Sequence, residues 1–192
     1  MSDFMGSTLS NASYGVVLLS RLPVHSTELD DLPSRMGRRL LVAHLLVNDT
    51  KLAVGTVHLE SLDSVEYRGR QLAHIFKTLK GERDAILVGD FNFCSSWPEE
   101  QANLDPQYVD VWPALHQGEA GYTEDTDVNL MLGSMNDKKK AVRFDRVLVR
   151  SGKPGWVPAS IELLGTEPIA GNTPEVFPSD HFGLLARLHW QD

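Results

Sequence analysis

Residues 86–92, with the sequence Ile-Leu-Val-Gly-Asp-Phe-Asn, constrain the fold of this 192-residue chain more than any other stretch. Apolar residues followed by glycine and then by Asp-Phe-Asn are typical of a buried strand. The C-terminal end of that strand carries a carboxylate and a carboxamide on one face, because alternate residues of a strand point the same way. Together, Asp90 and Asn92 can orient a water and a phosphate or metal ion, as phosphodiester hydrolysis requires. The alternative is a strand that ends in an ordinary polar turn.

Length and composition predict a single domain. The chain is 42% hydrophobic, which is enough for a sizeable core, and we expect a flexible lead-in at residues 1–13 and one domain over 14–192. The longest apolar runs are strand-sized, so no membrane span is expected. Residues 1–8 lack a basic segment followed by an apolar one, and Cys94 is the single cysteine. We therefore expect no secretory signal and no intrachain disulfide, and an intracellular location, cytoplasmic or nuclear.

The net charge of −8 argues against a protein coated in positive charge for nucleic-acid binding. It allows a local basic patch, and hydrolases of phosphates are often acidic because they carry metal-binding carboxylates. Two clusters of basic residues predict either solvated loops or such a patch. They are Arg35, Arg38 and Arg39, and Lys138, Lys139 and Lys140 with Arg143 and Arg146.

Apolar periodicity predicts a sheet that is covered by a helix. Two apolar runs, 39–47 and 51–59, flank a short turn and predict a hairpin. Apolar residues at helical spacing predict an amphipathic helix over 64–80. The remaining predictions are strands at 14–20, 143–150, 161–164 and 182–190, a short helical or irregular element at 109–115, loops at 24–37 and 95–107, a polar excursion at 118–140 and a connection at 151–158.

Polar side chains recur at the ends of the predicted strands, where loops on a rigid sheet usually build sites. Each has an ordinary structural alternative. Asp145 could form a salt bridge to Arg143 or Arg146, and Ser179 with Asp180 could form a cap or turn. His58 could simply be a hydrogen-bonded histidine. The strand-end residues are His58, Asp90, Asn92, Asp145, Asp180 and His181.

In their order and local sequence, these residues resemble the endonuclease/exonuclease/phosphatase superfamily, which has the fold of DNase I and abasic-site endonucleases. When the segment 14–21 is included, the chain further resembles the tyrosyl-DNA phosphodiesterases that act on 5′ ends. This resemblance extends over about residues 14–190. The motifs are His-Leu-Glu-Ser from His58, Gly-Asp-Phe-Asn from Gly89, Tyr-Thr-Glu-Asp-Thr from Tyr122, Arg-Phe-Asp-Arg from Arg143, and Ser-Asp-His-Phe-Gly-Leu-Leu from Ser179.

The resemblance implies an α/β fold, a four-layer αββα sandwich of the DNase I type, and metal-dependent phosphodiester hydrolysis. By that similarity Asp90 orients or deprotonates the attacking water, and Asn92 positions the water or a phosphate oxygen. His181 stabilises charge on the phosphate, and Asp145 fixes the imidazole of His181. His58 donates to a non-bridging phosphate oxygen.

The resemblance also implies a cofactor and a partner. Mg²⁺, with Mn²⁺ as the alternative, suits carboxylate and phosphate ligands, and Asp90, Asn92 and Asp180 are assigned to it. The partner is nucleic acid or another phosphodiester substrate. Substrate binding is assigned to Glu60, Tyr122, Arg143 and Ser179.

Two departures from the family pattern accompany the resemblance. The family begins with strands that bear an asparagine and a Gln-Glu pair, whose glutamate is the principal metal ligand, and neither precedes Tyr14. This predicts a domain without its first strands, exposed sheet edges and lower Mg²⁺ affinity, for which Glu60 could compensate. Relatives also carry tryptophan where Glu124 stands, and a carboxylate would repel a nucleic-acid backbone instead of stacking on a base.

We therefore expect a metal-dependent phosphodiesterase like the 5′-tyrosyl-DNA phosphodiesterases of DNA repair. One alternative is another phosphoester substrate, such as an RNA end, abasic DNA, an inositol phosphate or a small nucleotide. The other alternative is a catalytically inactive remnant that uses the fold for binding, which the absent glutamate motivates. The sequence leaves the oligomeric state open.

Overall fold

The computed structural model describes residues 14–47, 49–133, 139–169 and 175–192. The predicted lead-in at 1–13 and part of the predicted polar excursion, at 134–138, lie outside the described residues. The strands are β1 Val24–Asp31, β2 Arg39–Val47, β3 Thr50–His58, β4 Ala85–Asp90, β5 Val109–Asp110, β6 Glu124–Asp125, β7 Ala141–Val142, β8 Asp145–Arg150, β9 Gly155–Leu164 and β10 Gly183–Gln191. The helices are α1 Val65–Thr78, α2 Pro98–Gln101, α3 Val111–Leu115 and α4 Leu130–Gly133, with a 3-10 turn at Leu79–Gly81.

Six strands form the main sheet, in the order β1-β2-β3-β4-β8-β5. Only β3 and β4 pair in parallel, whereas the other neighbours are antiparallel. A parallel pair needs a crossover connection, and helix α1 supplies it. The parallel pair matters for the site because it brings the C-terminal ends of β3 and β4 to the same edge of the sheet.

The two faces of the main sheet carry separate parts of the core. On one face, Leu72 and Ile75 of α1 pack with Leu87 of β4 and are fully buried. On the other face, the antiparallel ribbon β9–β10 packs through Ile161 against Val147 and Val149 of β8. Helix α1, the main sheet and the ribbon form successive layers, which confirms the predicted mixed α/β fold. None of the helices in the described ranges combines the length and the apolar character that a membrane crossing requires.

The hairpin, the α1 helix and the strand that ends at Asp90 lie within a few residues of their predicted bounds. The prediction of a loop at 24–37 was wrong over Val24–Asp31, which is strand β1. Its side chains are almost all exposed, so its sequence lacks the apolar alternation that marks a half-buried strand. Backbone pairing to β2 alone makes it a strand.

Two other strand predictions also differ from the structure. Residues 14–20 are not paired as a strand, and Val17 and Leu19 are 77% and 88% exposed. Apolar β-branched composition does not make a strand without a partner edge. Strand β9 begins at Gly155, well before the predicted residue 161, because β10 is long enough to pair as far as Gln191. Two further short strands, β6 and β7, pair within the predicted polar excursion.

Candidate active site

The register of three adjacent strands brings the strand-end residues together. His58 on β3 is opposite Asp90 on β4, and Asp90 is opposite Asp145 on β8. His181 precedes β10, and its Nδ1 lies 2.8 Å from Asp145 Oδ2. Potential ligand atoms of Asp90, Asp145 and His181 all lie within 4.8 Å of one another. Four of the predicted catalytic residues therefore surround one point at the edge of the sheet.

Gly89 allows this close approach of β3 and β4. Its φ is +134°, a conformation that side-chain-bearing residues rarely adopt. A Cβ at this position would lie 1.9 Å from the backbone oxygen of Val57 on β3. Glycine is therefore required one residue before Asp90, and it fixes where the carboxylate is presented.

Asp90 is a half-buried carboxylate whose pKa is raised, so it holds its proton more tightly than a free aspartate does. Burial, together with the negative charge of Asp145, raises the pKa of Asp90 to about 6. The hydrogen bond that Asn92 N donates to Asp90 Oδ1, at 2.7 Å, offsets only part of this effect. His58 Nε2 lies 3.4 Å from Asp90 Oδ2. Asp90 can therefore exchange a proton close to neutral pH.

His181 is the positive member of the cluster. Burial acts to lower its pKa, but the hydrogen bond to Asp145 and the charges of Asp145, Asp90 and Glu124 together raise it to about 9. The ring is thus an imidazolium at pH 7, with Nδ1 directed at Asp145. Its other nitrogen, Nε2, lies 3.7 Å from Glu124 Oε2. An anion that approaches the cluster can accept a hydrogen bond from Nε2.

His58 has the opposite electrostatic environment. Burial and the positive charges of Arg38 and His181 lower its pKa to about 4. The ring is therefore neutral at pH 7 and has one N–H to donate. The ring of Tyr14 lies edge-on to it, with 5.4 Å between the ring centroids.

Asn92 connects the cluster to a neighbouring cavity of about 650 Å³. Its φ of +54° is a left-handed conformation that asparagine tolerates better than most residues. Its side-chain Nδ2 donates to Leu59 O at 3.0 Å. The cavity is also lined by Trp97, Lys140 and Phe144. A substrate bound at the cluster can extend into this cavity.

Glu60 is not brought into the cluster. It is 1% exposed, and its carboxylate accepts hydrogen bonds from Ser34 Oγ at 2.5 Å, Arg35 N at 2.8 Å and Gln71 Nε2 at 3.2 Å. These donors hold the connection between β1 and β2 against α1. Because both oxygens are engaged, the structure does not support Glu60 as a substrate ligand or as a replacement metal ligand.

Arg143 also points away from the cluster. Its guanidinium makes two 3.0 Å hydrogen bonds to Asp110, and its side chain is 3% exposed. Arg146 donates to the same Asp110 carboxylate at 2.8 Å. The assignment of Arg143 to substrate binding therefore lacks structural support. The alternative ion pair of Asp145 with either arginine is wrong, because both arginines bind Asp110 and Asp145 binds His181.

Three further predicted residues lie at the rim. Ser179 Oγ accepts from His181 N at 3.2 Å and donates to Asp180 Oδ1 at 3.1 Å, so this turn orients His181. Asp180 is exposed and is not part of the ligand group formed by Asp90, Asp145 and His181 among the described residues. Tyr122 is 38% exposed. Metal binding by Asp180 and substrate binding by Tyr122 and Ser179 stay predictions.

Comparison with known proteins identifies the family. The sequence matches the Endonuclease/Exonuclease/phosphatase family over residues 4–181. The chain belongs to this family. It is 34% identical to tyrosyl-DNA phosphodiesterase 2 of Homo sapiens over 177 residues, and 33% identical to that of Bos taurus over the same length. These alignments cover 88% of the chain but 48% and 47% of the relatives, so the chain spans about half their length.

Solved structures agree with the family assignment. The crystal structure of D. rerio TDP2 complexed with single strand DNA product superposes with a TM-score of 0.77 and 29% sequence identity. It covers 88% of this chain and 69% of that chain. Staphylococcus aureus beta toxin, at 18% identity with a TM-score of 0.66, shares the fold. The DNase I-like architecture expected from the sequence is thereby confirmed.

Members of the endonuclease/exonuclease/phosphatase family are generally metal-dependent, and the cluster has suitable donors for a metal ion. Asp90 and Asp145 supply hard oxygen atoms, and two carboxylates this close repel each other unless a cation lies nearby. Mg²⁺ needs only one or two protein carboxylates when water and phosphate complete its ligands. The residues present therefore fit a divalent cation of this kind.

Arg38 is a site residue that sequence reasoning missed, because the Arg35–Arg39 cluster was expected to be a solvated loop or patch. Arg38 is 5% exposed, and its guanidinium lies 4.4 Å from the Tyr14 ring centroid. Its charge lowers the pKa values of both His58 and Asp90. The missed signal is alternation, since Arg38, just before β2, is two residues from the buried Leu40 and is buried like it.

Thr123 is the second missed residue. Its buried Oγ1 accepts hydrogen bonds from Phe144 N and Asp145 N, both at 3.1 Å. Its carbonyl oxygen accepts from Phe182 N at 2.7 Å. Thr123 therefore joins the segments that carry Glu124, Asp145 and His181. The Tyr-Thr-Glu-Asp-Thr motif contained this residue but did not indicate its contacts.

Proposed function

We propose that this chain is a hydrolase of phosphodiesters and that its substrate is DNA with a tyrosyl group on its 5′ phosphate. The observation that carries the proposal is the cluster itself. A carboxylate that exchanges a proton near neutral pH, Asp90, lies beside a charged imidazolium, His181, that Asp145 orients. A general base and an electrostatic donor are the two groups that phosphodiester hydrolysis needs from side chains.

In this proposal Asp90 accepts a proton from the attacking water. A general base works best when its pKa is near the operating pH, and Asp90 meets this condition. The water oxygen then forms the new bond to phosphorus while the bond to the tyrosyl oxygen breaks. Asn92, whose backbone N–H holds Asp90 Oδ1, keeps the base in place.

His181 and His58 stabilise the charge that develops on the phosphate. His181 Nε2–H donates to a non-bridging oxygen, and Asp145 keeps the ring charged and correctly oriented. His58 is neutral at pH 7, so it donates its single N–H to a second oxygen of the phosphate as an uncharged hydrogen-bond donor. Arg38 adds positive charge from behind His58.

Mg²⁺, or Mn²⁺ in its place, would be held by Asp90, with Asp145 and Asn92 as the neighbouring oxygen donors. When bound, the ion supplies additional neutralisation of the phosphate oxygens. Asp180, at the rim, adds negative charge near this position but is exposed.

The tyrosyl-DNA substrate is supported by the names of the relatives, tyrosyl-DNA phosphodiesterase 2, and by the D. rerio structure that contains single strand DNA product. DNA repair is the corresponding process. The chain spans about half of each curated relative, so the activity of the whole relatives is transferred here only as a proposal. RNA ends, abasic DNA and inositol phosphates are the competing substrates.

The test is hydrolysis of a 5′-phosphotyrosyl oligonucleotide with and without Mg²⁺. The chain, His181→Ala and a control, His189→Ala, are compared; His189 is an exposed residue of β10. We expect release of tyrosine that requires the metal, persists in the control and is lost in His181→Ala. A panel with an RNA end, abasic DNA and an inositol phosphate determines whether the tyrosyl diester is preferred.

Absence of turnover by the folded chain on every substrate would contradict the proposal and favour a binding role for the fold. Turnover that survives His181→Ala would instead place the chemistry at a different site. Preference for another phosphoester would preserve the hydrolytic mechanism and overturn the tyrosyl-DNA assignment.

A further inference from the structure

Glu124 is a buried carboxylate beside the catalytic cluster that the proposed mechanism does not use. It is 6% exposed, and its Oε2 lies 3.7 Å from His181 Nε2, the nitrogen that donates to phosphate in that mechanism. The same oxygen lies 2.6 Å from Lys140 Nζ. A phosphate that binds His181 must therefore come close to a negative charge that is itself paired with a lysine.

The position of this pair is fixed by the backbone. Glu124 on β6 is opposite Val142 on β7, and Lys140 N donates to Thr126 Oγ1 at 2.9 Å while Thr126 N donates to Lys140 O at 2.9 Å. Thr123 ties the start of the same hairpin to the strand that carries Asp145. The Glu124–Lys140 pair is thus held at a set distance from His181.

Lys140 only partly compensates for Glu124. Its ammonium lies 4.4 Å from the centroid of the Phe144 ring and lines the cavity next to Asn92. Besides Glu124, three carboxylates lie around the proposed phosphate position, namely Asp90, Asp145 and Asp180. Three cations also lie there, namely Arg38, His181 and Lys140. Among these groups Glu124 is the carboxylate next to His181 Nε2, at 3.7 Å, so it opposes further negative charge on a ligand that accepts from this nitrogen.

We propose that Glu124 and Lys140 form a charge filter that favours a singly charged phosphodiester over a doubly charged phosphate monoester at this site. This inference rests on the proposed function and names the substrate class of the same site. A diester carries one negative charge, whereas a monoester carries between about −1.5 and −2 at pH 7. The additional charge would lie within a few ångströms of the Glu124 carboxylate, and the repulsion is strong because that carboxylate is only 6% exposed.

The charge filter also acts on the product. Hydrolysis of a diester leaves a phosphate monoester on the DNA end, which carries more negative charge than the substrate. Glu124 therefore disfavours the product relative to the substrate and promotes its release. A site with a neutral residue at this position would retain the product longer.

The experiment compares the binding of dimethyl phosphate, a monoanion, with that of methyl phosphate at pH 8 in the presence of Mg²⁺. Titrations followed by NMR give the ratio of the two dissociation constants, methyl phosphate over dimethyl phosphate, for each variant. The matched control is Asp127→Asn, because Asp127 makes a 2.8 Å ion pair with Lys139 near the same hairpin but is 67% exposed.

Glu124→Gln is expected to lower this ratio about tenfold, because it removes one negative charge next to the phosphate, whereas Asp127→Asn leaves the ratio unchanged. Lys140→Met is expected to raise the ratio, since it leaves Glu124 without its cation. The double variant removes one charge of each sign, so its ratio should lie between those of the two single variants, close to that of the unaltered chain. Inhibition by a 5′-phosphorylated oligonucleotide should become stronger in Glu124→Gln.

An unchanged ratio in Glu124→Gln, an equal change in Asp127→Asn, or a lower ratio in Lys140→Met would each overturn the charge filter. Failure of both probes to bind any variant would overturn it as well. The expected ratios in a chain that hydrolyses no diester would support the charge filter and contradict only the proposed function.

Discussion

Asp110 and Asp90 are both half-buried carboxylates at the ends of strands of the main sheet, with side chains 10% and 16% exposed, but their ion partners differ. Asp110 accepts hydrogen bonds from two arginines, Arg143 and Arg146, at 2.8–3.0 Å. Asp90 has no such partner among the described residues and lies beside the negative Asp145, so its pKa is raised to about 6. Asp110, which is paired with two arginines, stabilises the fold. Asp90, which lacks such a pairing, has the raised pKa that a general base needs near neutral pH.

The Arg-Phe-Asp-Arg motif divides its side chains between these two regions. Arg143 and Arg146 bind Asp110, while Asp145, between them in sequence, binds His181. One short segment thus contributes to the stability of the sheet and to the catalytic cluster. Substitutions of Asp145 and of Asp110 should separate the catalytic contribution from the structural one. Four experiments test the comparison.

The largest effect is expected for Asp145→Asn on turnover. The amide cannot keep His181 charged and oriented, so we expect kcat to fall about 10²- to 10⁴-fold with a much smaller change in KM. Steady-state kinetics on the phosphotyrosyl oligonucleotide measure both constants, with Asp127→Asn as the exposed control. An unchanged kcat would remove Asp145 from the catalytic machinery.

Asp110→Asn should act on stability instead. It leaves two buried arginines without their carboxylate, which is expected to cost about 3–5 kcal/mol of unfolding free energy. Urea unfolding followed by circular dichroism measures it. The control is Asp31→Asn, whose ion pair with Arg39 is exposed and is worth about 1 kcal/mol or less. A loss no greater than that of the control would show that Asp110 is not a structural anchor.

Asp90→Asn is predicted to stabilise the folded chain, although it removes the general base of the proposed reaction. The raised pKa means that the folded state binds this proton more tightly than the unfolded state does. That contribution is complete below about pH 4 and is lost as the pH rises through about 6. At pH 8 a neutral amide should therefore gain about 1–3 kcal/mol over the ionised carboxylate. Urea unfolding at pH 8 tests the sign, and destabilisation would contradict the electrostatic account.

The smallest effect concerns pH near neutrality. Asp90 must be ionised and His181 protonated, so kcat/KM should be half-maximal near pH 6 and again near pH 9, with a plateau between. Saturating Mg²⁺ should move the lower midpoint further down, because a nearby cation favours the ionised carboxylate. A lower midpoint near pH 4 at the lowest Mg²⁺ concentration that supports turnover would indicate an unperturbed Asp90.

The sequence predicted the elements that carry an apolar pattern. Strands β2, β3 and β4 contain apolar runs and helix α1 has apolar residues at helical spacing, whereas β1 is exposed on nearly every residue and was missed. The strand-end residues His58, Asp90, Asp145 and His181 were predicted because each lies both in a family motif and at the end of a predicted strand. Their convergence depends on strand register, which becomes visible only in the structure.

Long-range ionic partners could not be predicted in the same way. Arg38 was expected in a solvated loop or patch because arginine is usually exposed, and Arg143 was assigned to substrate binding with the Arg-Phe-Asp-Arg motif. Their true environments depend on residues far along the chain, such as Asp110, which lies 33 residues before Arg143. The sequence gives the charge of each side chain, but which carboxylate binds which arginine depends on the folded structure.

The hydrogen bonds of Thr123 have a consequence for how such a protein can diverge. They attach the β6–β7 hairpin to the strands that carry Asp145 and His181 through a hydroxyl and backbone groups. The neighbouring side chain, Glu124, makes none of these attachments and can be exchanged without loosening them. Under the proposed charge filter, substrate preference depends on Glu124, so a mutation here would change specificity and leave the positions of Asp145 and His181 unaltered.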